Sequence, residues 1–288
     1  MPKVAIVTDS VASIPDAMTR DLNIRWVPFY VHIGNNALRD LVNIDCKSFY
    51  QWLPTAKELP TTANPSSSDY EKVYVELIES GVQQIVSIHI TSHSSGAYQA
   101  ATIAKNSTLE SFPYIKIEVI DSMNVAMCQG WMVIEAARAA LKGATFESII
   151  SMVRSMIPIT HMLQTADTLK YLYMGGRIGN AKHLMGNMLK IKPIISMQNG
   201  VIVSAGQARS RHKAYRLMVE NISNFVGSDG KIKIAYLHAN AIAEIDEIRC
   251  LVEDRITVVE SLISELSPAL GVHTGPGTAG LCYFPVFD

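Results

Sequence analysis

Short apolar runs that end on a polar pair, each leading into a helical stretch, recur through the first half of this chain and set its fold class. Val4 to Thr8 is such a run and stops at Asp9-Ser10. Gln84 to Thr91 alternates with β-branched residues and passes through Ser92 to Gly96 into a helical stretch from Ala97 to Lys105. Ile115 to Ile120 stops at Asp121-Ser122, ahead of a long helix from Ala126 to Leu141. Buried strands alternating with helices predict βαβ units and a mainly parallel sheet. Right-handed crossovers then set the strand C-termini along one edge, which is where open α/β sheets bind ligands. Three polar loops fall on that edge: Asp9-Ser10, Ser92 to Gly96, and Asp121-Ser122.

Between these units, Trp26 to Ile33 reads as a further strand and Glu58 to Ser68 as a loop rich in Pro, Ser, Thr and Asn. Asp69 to Glu79 reads as a helix capped by Ser68 or Asp69. After a helix from Phe146 to Met156 the pattern changes. Ile159 to Gln164 reads as a strand, followed by a helical turn and a break at Gly175-Gly176-Arg177. Lys192 to Met197 and Val201 to Ala205 flank Asn199-Gly200, the strongest short hairpin signal. Ser210 to Val226 and Ile242 to Asp254 read as helices, and Lys231 to His238 and Thr257 to Leu266 as strands. The expectation is a two-domain α/β chain: an N-terminal α/β domain over 1–156 with a mainly parallel sheet flanked by helices, and a C-terminal α/β domain over 157–288 with a mixed or antiparallel sheet.

Composition narrows the function. With 288 residues, 48% of them hydrophobic and 18% charged, the chain can bury a large core. The 25 basic and 26 acidic residues give a net charge of −1, which argues against nucleic acid as the main partner. Cys46, Cys128, Cys250 and Cys282 are far apart and form no CxxC pair, so neither a zinc site nor a redox dithiol is expected. The start, MPKVAIVTDS, has no long apolar run after its lysine and does not read as a signal peptide. No stretch reaches the roughly 18 unbroken apolar residues of a membrane helix. A soluble cytoplasmic protein with no cofactor is expected.

Five polar clusters remain. Thr61 and Thr62 stand between Pro60 and Pro65, and prolines pre-order a loop so that its hydroxyls are aimed without further entropic cost. Ser92 to Gly96 opens a helix, whose free N–H groups and positive dipole end suit an anion; helix capping by Ser94 or Ser95 is compatible with that. Gly175 to Gly179 (GGRIG) is not a phosphate-binding P-loop, but its glycines permit a turn that lifts Arg177 from the core. Gln207 to Lys213 is a local basic patch, either a solvated helix face or a phosphate-engaging surface. In Gly271 to Gly277 a lone histidine, His273, sits among glycines in what reads as a tightly shaped turn.

In this order the clusters resemble the DegV family, known in several bacteria as the fatty-acid-binding FakB subunits. The matching residues are Thr8-Asp9-Ser10, Pro60-Thr61-Thr62 with Pro65-Ser66, Ser95-Gly96 with Tyr98, Asp121-Ser122, Gly175 to Ile178, Lys190 to Pro193, Arg209, and His273 to Gly277. Three motifs depart from the family pattern: Ala63-Asn64 stand where Ser-Gln is usual, Ala97 where Thr is usual, and Ala126 and Cys128 where small Ser and Gly are common. The resemblance implies a long-chain fatty acid between two domains, its carboxylate held by Thr62, Ser95 and the Gly96 N–H, with His273 and Ser122 nearby. It implies that Arg177 and Arg209, with His273, face a partner fatty acid kinase, and that the acyl phosphate formed feeds phospholipid synthesis. The chain would then be a substrate carrier and not an enzyme. The competing reading is a hydrolase or phosphotransferase acting on a small acyl or carbonyl substrate through Ser95 or His273. The 13 methionines offer an adaptable tunnel lining, with core packing as the alternative.

Overall fold

The structure is a computed structural model and describes residues 4–187, 191–227 and 229–286. Three sheets organise it. The first is parallel throughout, in the order β2 (Arg25–Val27), β1 (Val4–Asp9), β6 (Gln84–His89), β7 (Lys116–Asp121). The second is a small antiparallel sheet of β4 (Asn36–Arg39), β3 (Tyr30–Ile33) and β5 (Thr61–Ala63). The third runs β10 (Val201–Ala208), β9 (Lys192–Gln198), β8 (His161–Thr165), β13 (Ala279–Val286), β11 (Lys231–His238), β12 (Thr257–Glu265). Its pairings are antiparallel except β11 with β12, so it is mixed, as expected.

Helices α1 (Asp16–Asp21), α2 (Cys46–Trp52), α3 (Ser67–Glu79), α4 (Ala97–Ser111), α5 (Ala126–Leu141) and α6 (Phe146–Met156) precede β8. They are followed by α7 (Lys170–Met174), α8 (Arg211–Val226), α9 (Ile242–Glu253) and α10 (Pro268–Thr274). Helix α5 is apolar almost all round, as a helix buried on every side must be. One face lies on β1 and β6, and the other meets the third sheet, where Trp131 stacks edge-on against Phe284 with ring centroids 5.6 Å apart. A bidentate Arg138–Glu260 pair, joined by Glu135 and Lys233, ties the same helix to β11 and β12.

Several expectations need correction. Trp26 to Ile33 is two strands in two sheets, because Pro28 has no N–H to continue a ladder. The loop from Glu58 to Ser68 contains β5. The cap of α3 is Ser66, in a reciprocal capping box with Asp69. Asp9 and Ser10 are buried and committed to the protein. Tyr74 Oη donates to Ser87 Oγ (2.8 Å), which lies 2.7 Å from His89 Nε2, while His89 Nδ1 lies 2.9 Å from Asp9. This Ser–His–Asp chain has no exposed member and is sealed by Tyr74. The Asn199-Gly200 hairpin forms as expected, and its tip is held by Thr91, whose hydroxyl donates to the Gly200 carbonyl (3.1 Å).

Gly271 to Gly277 is not merely a turn, for its first half is α10. Ser267 caps this helix, Pro268 occupies its first turn, and buried Asp40 accepts from Ala269 N at 3.0 Å. Ser10 donates to the other Asp40 oxygen (2.6 Å), so the end of β1 fixes the start of α10. Gly271 rests against Phe49 and Tyr50 of α2, and a Cβ there would come within 2.7 Å of both rings. Gly271→Ala is therefore expected to lower unfolding stability by about 1–3 kcal/mol through overpacking. A denaturant midpoint equal to the wild type would show that α2 yields freely and that this contact is not what seats α10.

Candidate functional site

Where the C-terminal edge of the parallel sheet meets the face of the third sheet, the chain encloses about 760 Å³ of empty space, mouth included. The wall is mostly apolar: Ile90 and Val125 come from the first sheet's edge, Met162 and Ile195 from β8 and β9, and Leu270 from α10. Among the described residues Met162 is the only methionine in it, so the other described methionines pack elsewhere. At one end the wall becomes polar, with Thr62, Asn64, Ser94 to Gly96, Arg177 and His273 converging.

Each polar residue is delivered by a different local device. Thr62 is the middle residue of β5, paired opposite Val31. Ser95 and Gly96 sit at the start of α4, where glycine as the cap residue offers no side chain to the first-turn N–H groups. Ser95 Oγ accepts from Ala97 N (3.3 Å). Asn64 lies against Gly96, its amide clamped by the Pro65 carbonyl at 2.8 Å. Arg177 is exposed, but its Nε donates to the Ser94 carbonyl (3.3 Å) and its Nη1 to the Gly175 carbonyl (2.7 Å).

His273, in the last turn of α10, places Nε2 2.8 Å from Thr62 Oγ1. Its Nδ1 is buried against Gly175 and has no partner among the described residues. An orphaned buried N–H is rarer and more costly than an orphaned acceptor, so the proton belongs on Nε2. Nε2–H then donates to Thr62, and the threonine hydroxyl hydrogen is left free for a ligand. Burial, reinforced by the Arg177 charge, pulls His273 down to about 4, so the ring is neutral at pH 7.

The structure brings together Thr62, Ser95, Gly96, His273 and Arg177, and leaves Ser122 out of the cavity wall. Ser122 is fully buried in its own turn, its hydroxyl donating to the Asn124 carbonyl (3.1 Å), and does not reach the cavity wall. Arg209 is exposed at the end of β10, away from that wall. In the same basic patch Arg211 is the anchored residue. It pairs with Asp167 (3.0 Å) and donates to the Gly277 carbonyl (2.6 Å), which pins the turn after His273. Lys190, within the expected Lys190 to Pro193 stretch, lies outside the described residues. Asn64 and Arg211 were missed: Asn64 was read only as a departure from a pattern, and Arg211 is one of several cations in a run.

Chemically, the polar end offers neutral hydroxyls, backbone N–H groups and one guanidinium to an anion whose tail lies in an apolar space. Ser95 and His273 are not paired as nucleophile and base, since each is bonded elsewhere. Among the described residues no group of three or more His, Cys, Asp or Glu is placed to hold a metal ion. Among them, too, no helix is long and apolar enough to cross a membrane.

Comparison with known proteins finds relatives over nearly the whole chain. Residues 3–286 match the family described as "Uncharacterised protein, DegV family". A DegV domain-containing protein of Caldanaerobacter subterraneus subsp. tengcongensis is 31% identical over 283 residues, 98% of this chain and 99% of the relative. The solved DegV of Bacillus subtilis, described as a fatty acid binding protein, superposes with a TM-score of 0.88 at 30% identity over 99% of this chain and 100% of that one. A DegV family protein of Thermus thermophilus, also described by its fatty acid binding, gives a TM-score of 0.92 at 28% identity with the same coverage of both chains.

The neutral state of His273 has a measurable consequence. Between its ordinary value of 6.5 and about 4, the unfolded chain binds a proton that the folded chain refuses, so this residue's contribution falls as pH falls. Buried Asp40, pushed up to about 6 from 3.8, acts in the opposite sense over part of that window, so the wild type alone conceals the effect. In ligand-free protein, the stability of the wild type minus that of His273→Gln should drop by roughly 2 kcal/mol from pH 7 to pH 5. A difference independent of pH in urea titrations would mean that His273 takes up a proton in the fold as readily as in the unfolded chain.

Proposed function

This chain belongs to the DegV family, and from that premise we propose that it binds a long-chain fatty acid in the cavity and presents the carboxylate to a partner fatty acid kinase. The observation that carries this reading is the pairing of an apolar space with one polar end, where His273 leaves the Thr62 hydroxyl hydrogen unspent. A buried carboxylate without donors is strongly disfavoured, and Thr62, Ser95 and the Gly96 N–H meet that requirement without neutralising the charge. The acyl chain contributes affinity at roughly 0.8 kcal/mol per methylene buried, partly offset by the entropy of ordering it.

In this reading residues 1–156 and 157–288 are two domains with the lipid between them. The chain is a carrier: the kinase phosphorylates the bound carboxylate, and the acyl phosphate supplies phospholipid synthesis. Arg177 and the exposed Arg209 face the kinase. The description of the Bacillus and Thermus relatives as fatty acid binding supports the lipid part.

Organic extraction of natively purified protein followed by mass spectrometry should release a long-chain fatty acid; repeated extraction of none would refute the reading. Thr62→Ala removes a hydrogen bond to a charged group and should weaken fatty acid binding by about 10–100-fold. Arg209→Ala should leave lipid affinity unchanged and slow phosphorylation by the kinase. Equal lipid loss in both variants would contradict that division of roles.

A further inference from the structure

A second cleft lies on the outer side of the same polar end. Thr62, Arg177 and His273 line both spaces, so the Thr62–His273 hydrogen bond stands in the wall between the apolar cavity and this solvent-facing cleft. The cleft takes its other sides from the segment before β5 and from α7, and these bring Lys57 and Lys170 to it. Among the described residues neither lysine ammonium has an ion-pair or hydrogen-bond partner, and Glu58 is the only acid among the described residues of the lining. Arg177 adds a third cation. With Nε and Nη1 fixed on two carbonyls, its Nη2 has no partner among the described residues.

Resting on the fatty acid reading above, we infer that this outer cleft is a phosphoryl subsite, in which Lys57, Lys170 and Arg177 hold the phosphoryl group of an acyl phosphate while the acyl chain stays in the cavity. A phosphoryl group joined to a carboxylate at Thr62 cannot turn inward, because the wall there is apolar and a multiply charged group is expelled from it. It projects past Thr62 and His273, into the neighbouring cleft that shares those residues. Three cations against one acid favour the more highly charged ligand over the carboxylate alone. The two lysines line the cleft and not the cavity, so they discriminate between the free and the phosphorylated acid.

The test uses the full chain, stripped of lipid, with two probes: palmitic acid, and 2-oxoheptadecylphosphonate, in which a methylene replaces the bridging oxygen of palmitoyl phosphate. The double variant Lys57→Ala/Lys170→Ala should bind palmitate within twofold of the wild type and lose at least tenfold in affinity for the phosphonate. Its phosphonate binding should also become less sensitive to salt. Wild-type and variant affinities for the phosphonate that agree within twofold would overturn the subsite while leaving the lipid site standing, as would equal losses for both probes. Failure of the wild type to bind palmitate at all would instead overturn the fatty acid reading, and the subsite with it.

Discussion

The hydrogen bond between Thr62 and His273 joins residues 211 positions apart and fixes the donor that Thr62 offers at the polar end of the cavity. It is set from both sides by buried structure. On one side β5 is paired to β3, with Pro60 and Pro65 close to its ends. On the other, α10 is seated by Asp40 at its start, by Gly271 against α2 in its middle, and by Arg211 on the Gly277 turn beyond its end. Gly175 then closes over the free face of the imidazole. Asp40, Gly271, Arg211 and Gly175 do not line the cavity, yet together they place the imidazole whose tautomer leaves Thr62 a proton to donate.

Much of the architecture was legible because it follows from period and punctuation. The strands β1, β6, β7 and β11, the helices α5 and α6, and the Asn199-Gly200 hairpin lie where apolar runs, polar stops and turn residues put them. What was missed depends on contacts between distant segments. Strand β5 has three residues and becomes a strand only by pairing with β3. Helix α10 carries a glycine and a proline, poor helix formers, and persists because its start is capped by Ser267 and Asp40. Strand β13 went unassigned although AGLCYFPV is a continuous apolar run; it is buried in the middle of its sheet and so lacks the alternation that marks a half-exposed strand.

The site divides in the same way. Thr62, Ser95, Gly96 and His273 were nameable from hydroxyl-rich and glycine-rich clusters, and geometry brings them to one end of one cavity. Asp9, Ser10 and Ser122 share the same polar look and the same sheet edge, but their groups are spent inside the protein. A sequence shows which residues have donors; only the fold shows which donors remain unused. The buried Asp9–His89–Ser87 chain makes the point most sharply, since its order of groups matches a nucleophilic triad while Tyr74 and complete burial deny it any substrate.

The central claim is that the Thr62 hydroxyl donates to a bound carboxylate at the mouth of an apolar cavity. A crystal structure of the chain with palmitate tests it most directly. The account predicts one carboxylate oxygen within hydrogen-bond distance of Thr62 Oγ1, Ser95 and Gly96 beside it, and the acyl chain running inward past Ile195 and Met162. A carboxylate turned to the opposite end, or a lipid lying outside this cavity, would contradict it.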